Sequence, residues 1–230
     1  MKKERTFQLT VCVVSALSCL AGSVMAQSWQ QRAAASKATV AKKEETVKIA
    51  RLPPPGKTAM VRTPEFQYSV NNTQPRVNRR PREWALFEVK YETSAKWTDE
   101  LTFIYHIMTK GRDDDNKDIY SYYTTTIKYI DIPKGDHMSC VALPPSLVER
   151  YGEPVAIALE ISGKDGTVMA SESLSAGIQF QKPKEWWRDT SVMDARDKEG
   201  NPVLIRRPGL LERSKTPFAL VNPDDYEVVQ

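Results

Sequence analysis

Alternation of apolar and polar positions carries most of the structural information in this chain. In EWALFEVKYET, residues 83–93, Ala85, Phe87, Val89 and Tyr91 fall on one face, while Glu88, Lys90 and Glu92 share the other with Trp84 and Leu86. A period of two marks a strand with one face toward a core. PVAIALEIS, residues 154–162, repeats the pattern with Val155, Ile157, Leu159 and Ile161. LTFIYHIMT, residues 101–109, is apolar on both faces and reads as a central strand. Shorter runs at 64–70, 119–132, 137–143, 167–173 and 175–182 bring the total to about eight strands joined by turns. The period changes only in PPSLVERYG, residues 144–152. There Ser146 and Glu149 form a capping-box pair and Gly152 closes one short helix.

Many short strands with almost no helix predict an all-β fold, an immunoglobulin-like antiparallel β-sandwich over residues 63–182. A small barrel is the alternative closure. Before it, residues 27–62 are rich in Ala, Gln, Lys and Glu and end in the stiff Pro53-Pro54-Pro55-Gly56 spacer, which reads as a basic arm, flexible or helical. After it, residues 183–230 form an apolar extension interrupted by Pro217 and Pro223. An extended apolar tail needs a surface to cover, so it is expected to pack along the sandwich or on a neighbouring subunit.

The N-terminus changes the picture of compartment. Lys2, Lys3 and Arg5 precede an apolar run from Leu9 to Gly22, and Val24-Met25-Ala26 fits a small-residue cleavage site. Residues 1–26 therefore read as a secretory signal peptide, which predicts export to the periplasm, the outer surface or the medium. A membrane-anchoring helix and a lipoprotein modified at Cys19 are the alternatives. Without residues 1–26, Lys plus Arg falls from 33 to 30 and Asp plus Glu from 29 to 28, a net charge of +2. That balance argues against nucleic acid as a partner. Cys140 is then the one remaining cysteine of three, so no intrachain disulfide can form, and its apolar strand setting predicts burial.

Several stretches invite chemistry. Asp114, Asn116 and Asp118 occupy the first three alternate positions of a calcium loop, but Ile119 and Thr125 stand where the glycine and bidentate glutamate belong. A polar hairpin tip explains them better, and no metal or other cofactor is expected. Tyr120 and Tyr122 share one strand face and Tyr123 and Tyr129 the other. At most half of these rings can form a sugar-binding platform. Tyr120, Tyr122 and Trp186, with the basic turn Arg76, Arg79, Arg80 and Arg82, are the candidate binding residues, host glycans being the ligand considered. Arg206 and Arg207 would add to such a basic site. Trp187, Phe218, Leu220 and Tyr226 are candidate interface residues. His137 and Cys140 lie three apart, which on a strand directs them to opposite faces and weakens the case for a thiol nucleophile. No Gly-x-Ser-x-Gly elbow and no phosphate-binding glycine loop occurs, so a non-enzymatic role is expected.

Three segments, REWALFEVKYETSAKWTDELTFIYHIMTK, IDIPKGDHMSCVALPPSLVERYGEPVAIALEI and SKTPFALVNPDDYE, resemble secreted immunoglobulin-like proteins from a type IV-pilus-associated gene cluster of Akkermansia-type bacteria. The likeness covers residues 63–230 and rests on strands and a tail, so it carries no active-site residues. It implies an envelope protein that forms a homo-oligomer, a trimer being one option, with envelope or pilus components as partners. The chain departs from polymerising pilins in lacking a long uninterrupted apolar helix after the leader. The function expected is therefore surface assembly, pilus-associated structure or adhesion. A carbohydrate-binding module is the first alternative and a cysteine-dependent enzyme the second.

Overall fold

Two very long strands build most of this protein. In the computed structural model, β3 (Glu83–Arg112) and β4 (Asp118–Leu143) pair antiparallel along nearly their whole length. The structure describes residues 46–63, 82–112, 116–176 and 185–219. All belong to one unit, Glu45–Gln230. The signal peptide, the start of the basic arm, the strands expected at 64–70 and 175–182, and Arg76, Arg79, Arg80, Asp114, Leu220 and Tyr226 lie outside the described residues, apart from Ser175 and Ala176.

The β3/β4 ribbon folds on itself. Its register is interrupted between Thr93 and Trp97, and Asp131 and Gly135 on β4 adopt positive φ of 52° and 143°. Irregularities of this kind bend a ribbon without ending it. The expected pairs of short strands are thus two continuous ones, because the bend is made by bulges rather than by turns. Doubling back brings Tyr91, before the bend, against Phe103, after it, with ring centroids 4.8 Å apart. One core is shared by Ala85, Phe87, Val89 and Tyr91 from the first half of β3 and Phe103, Tyr105 and Ile107 from the second.

The remaining strands extend the two halves. β1 (Val47–Arg51) and β2 (Met60–Arg62) pair with the first half of β3. β5 (Glu153–Gly163) pairs with its second half, and β6 (Val168–Ser175) pairs with β5. β7 (Leu204–Arg206) and β8 (Leu211–Glu212) add to β4. All eight strands belong to one sheet that wraps into an all-β sandwich. The β4–β7 pairing is parallel, so the sheet is mixed rather than wholly antiparallel as expected.

Two expectations are corrected by packing. Residues 46–62 are not part of a free arm: Val47, Leu52 and Ala59 are buried in the main core, because β1 and β2 complete the edge of β3. The helix α1 (Pro145–Tyr151) begins two residues earlier than the capping box requires. Pro144 is its N-cap and Pro145 its first residue, whose fixed φ suits that position. Glu149 turns outward to Arg82 instead, at 2.8 Å.

Buried hydroxyls bridge the core. Ser139 Oγ on β4 accepts from Tyr105 Oη of β3 at 2.6 Å and from Tyr129 Oη of β4 at 2.8 Å. Burial and neighbouring groups push the Tyr105 phenol well above its ordinary range, so it stays a protonated donor. At the other end of the ribbon α1 lies very close to β3. Gly152, at φ 87°, follows the helix where any Cβ would collide with the Lys110 carbonyl, which explains the glycine that ends the helix.

Candidate functional site

The outer face of the β5–β3–β4 layer is where the predicted aromatics meet. β5 alternates Ile157, Leu159 and Ile161 into the core with Ala156, Ala158 and Glu160 outward. The alanines form a shallow floor flanked by Met108 of β3 and by Tyr120 and Tyr122 of β4. Trp186 and Trp187 descend onto that floor, followed by Val192 from the single helical turn α2 (Thr190–Met193) and by Leu204. Asp189 caps this turn by accepting from Ser191 N at 2.8 Å.

Polar contacts fix the aromatic pair. Trp187 stacks on His106 with centroids 5.4 Å apart, and Trp186 meets Tyr122 edge-on at 6.2 Å. The Trp187 indole Nε1–H donates to Glu160 Oε1, which also receives Arg188 Nη2 at 2.8 Å. Burial acts to raise the Glu160 carboxyl, but the hydrogen bonds from Arg188 and Trp187 outweigh it and hold the group below its usual range. His106 Nδ1 shares a 2.7 Å hydrogen bond with the Tyr122 hydroxyl. Burial lowers the imidazole to about 4, so it is neutral at neutral pH. Its Nε2, like Trp186 Nε1, is buried without a hydrogen-bond partner.

This geometry revises the predicted binding surface. Tyr120, Tyr122 and Trp186 are brought together, yet Tyr122 is only 8% exposed and Trp186 1%. They cannot present rings to a glycan, because residues 186–204 of the same chain cover the face they share. Trp187 is likewise committed to His106 and Glu160 rather than to solvent. Phe218 packs edge-on against Trp84 at 5.9 Å, over Leu86, Cys140 and Ala142, and is also buried. Arg82 is held by Glu149.

The other candidates also find structural partners. Asn116 Oδ1 accepts from Arg112 at 3.0 Å, and Asp118 pairs with Lys110 at 2.7 Å. Among the described residues no group of three or more His, Cys, Asp or Glu side chains is arranged to hold a metal ion. Cys140 is buried on the outer face beside Phe218, whereas His137 packs at a tilt against Tyr91 of the main core, with ring centroids 5.2 Å apart.

Sequence reasoning missed three features. Glu160 was visible as the one charged residue inside an apolar strand. Trp97 is 60% exposed at the ribbon's bend and is the one large aromatic so exposed among the described residues. Its signal was a tryptophan inside the polar run SAKWTDE. The third is Arg150, whose guanidinium joins that of Arg207 at the ring of Tyr151.

Fold and site together define an all-β sandwich against which Trp186, Trp187, Val192, Leu204 and Phe218 of the same chain pack. A protein-family model matches residues 31–230, and the chain belongs to that family. A crystal structure of a protein from Akkermansia muciniphila is similar, with a TM-score of 0.57 and 22% identity over 80% of this chain and 93% of that one. At this identity the likeness concerns the fold. No curated protein matches the sequence. No helix among the described residues is long and apolar enough to cross a membrane.

Proposed function

We propose that this is an exported, non-enzymatic β-sandwich protein that acts by binding other proteins at the cell envelope, its own copies first, in surface assembly, pilus-associated structure or adhesion. The exposed ridge at the bend carries this reading. Trp97 pairs across the ribbon with Pro133, and Ile130 follows three rungs along at 42% exposure. Trp97 is the most exposed of the large apolar side chains described, ahead of Val168, Ile130, Val61 and Leu174, so the bend is where burial of an aromatic has most to gain. The leader-like N-terminus supports export, and Tyr120, Tyr122, Trp186, Trp187 and Cys140 are buried in packing.

Light scattering on residues 27–230 tests the proposal. A mass above that of one chain is expected, falling to the monomer in a Trp97→Ala, Ile130→Ser variant. A monomer at every concentration, unaltered by the substitutions, would rule out self-assembly through this ridge. Carbohydrate binding is a second reading, favoured only by the exposed indole of Trp97 beside the exposed Asp99 and Asp131. A glycan array on which wild type and Trp97→Ala behave alike would remove it.

A further inference from the structure

Arg207 is an arginine held ready with nothing to hold. Its backbone N–H donates to Tyr122 O at 2.8 Å directly after β7, and its Nε donates to the buried Ser121 Oγ at 3.0 Å. Its guanidinium lies 3.8 Å from the centre of the Tyr151 ring. These contacts fix the side chain but use only one of its N–H groups. Among the described residues neither terminal nitrogen has a hydrogen-bond partner, and no carboxylate pairs with the guanidinium. Arg207 is half-buried, so part of its side chain reaches solvent.

A second guanidinium, that of Arg150, lies 5.2 Å from the same ring. It too has no carboxylate partner and no hydrogen bond among the described residues. The nearby acids are either committed or out of reach. Glu149 pairs with Arg82 and Asp118 with Lys110, and Glu153 reaches neither arginine within ion-pair distance. Two cations sharing one tyrosine ring repel each other within a Debye length. The fork of each guanidinium matches the oxygens of an oxyanion. Immobilising Arg207 in advance removes much of the entropic cost of recruiting it.

We infer that Arg150 and Arg207, arrayed around Tyr151, form a binding site for a single oxyanion group, a sulfate, phosphate or carboxylate, at the end of the sandwich where α1 meets β4 and β7. The site is independent of the Trp97 ridge. Its ligand chemistry can come from a free anion or from an anionic glycan that carries the same group.

Calorimetric titration of the full chain with inorganic sulfate, inorganic phosphate and a sulfated oligosaccharide, at low ionic strength, tests the site. Saturable one-to-one binding is expected, weakened about tenfold by Arg150→Gln and by Arg207→Gln separately, as loss of a charge-assisted hydrogen-bond pair predicts. Arg82→Gln, at an arginine already paired, should leave binding unchanged. Arg150 is exposed and unbonded, so its variant reads the site without disturbing the fold. Arg207→Lys keeps the charge but loses the fork and should fall between wild type and Arg207→Gln. Tighter binding of the oligosaccharide than of either free anion identifies a glycan as the source, and equal binding identifies the free anion. Absence of saturable binding to all three, or binding that survives both glutamine substitutions, overturns the inference.

Discussion

Trp187 and Glu160 meet across the gap between the C-terminal segment and β5, the indole N–H donating to a carboxylate that Arg188 also holds. One acid thus receives two donors from consecutive residues of the docked segment. Glu160→Ala leaves the buried Trp187 donor unpaired and frees Arg188. A loss of roughly 2–3 kcal/mol is expected, measured by urea unfolding. A red shift in tryptophan emission below the main transition would show that the segment lifts before the sandwich opens. Glu160→Gln should recover part of the loss, since it still accepts the indole proton.

His106 makes the same junction sensitive to acid. Its folded value of about 4 lies below the ordinary 6.5, so between these two pH values the unfolded chain binds the extra proton. Stability contributed by keeping the ring neutral is therefore fully present above about pH 6.5 and is lost progressively toward pH 4, by up to about 3 kcal/mol. Glu160, held below its usual range, loses stability in the same direction at the acid end. Urea midpoints from pH 7 to 4 should fall steeply in wild type and less so in His106→Phe. Parallel curves for the two proteins would show that another group controls the acid response.

Ser139 is a small residue with a large structural task. Ser139→Ala removes the acceptor of the buried Tyr105 hydroxyl and one partner of Tyr129. The expected cost is about 1–3 kcal/mol, read as a lower melting temperature. Adding Tyr105→Phe should restore part of it, since the phenol that lost its acceptor is then gone.

Gly152→Ala should be among the most damaging single substitutions. It combines a positive φ with a collision against the Lys110 backbone, which cannot rotate away. A loss above roughly 3 kcal/mol is expected, seen in poor soluble yield or a sharply lowered melting point. Gly166→Ala, also at positive φ but with open space around the new methyl, should cost far less.

Much of the fold was legible because strand faces obey a simple period. Ala85, Phe87, Val89 and Tyr91 point to the core as their spacing requires, and so do Ile157, Leu159 and Ile161. The division of the tyrosines was legible too, with Tyr123 and Tyr129 in the main core and Tyr120 and Tyr122 on the opposite face. What covers that second face was not. Periodicity says which residues share a side, but not whether that side meets water or a segment more than sixty residues away in the chain. The bend was also hidden. Nothing local distinguishes a bulged ribbon around Asp131 and Gly135 from a true turn, so two long strands read as four short ones. Val47 and Leu52 were lost to a composition rich in lysine, which masked the alternation of a short edge strand.

The doubled ribbon has a consequence for error. Side chains reverse sides with every residue along a strand, and β3 and β4 supply walls to both halves of the sandwich. A slip of one position in either half would turn that half's wall inside out. Across the bend the pairing passes from Thr93–Gly135 to Trp97–Pro133, four steps on β3 against two on β4. The bend is thus a register break, across which each half finds its own alignment, and the even difference keeps their inward faces in phase.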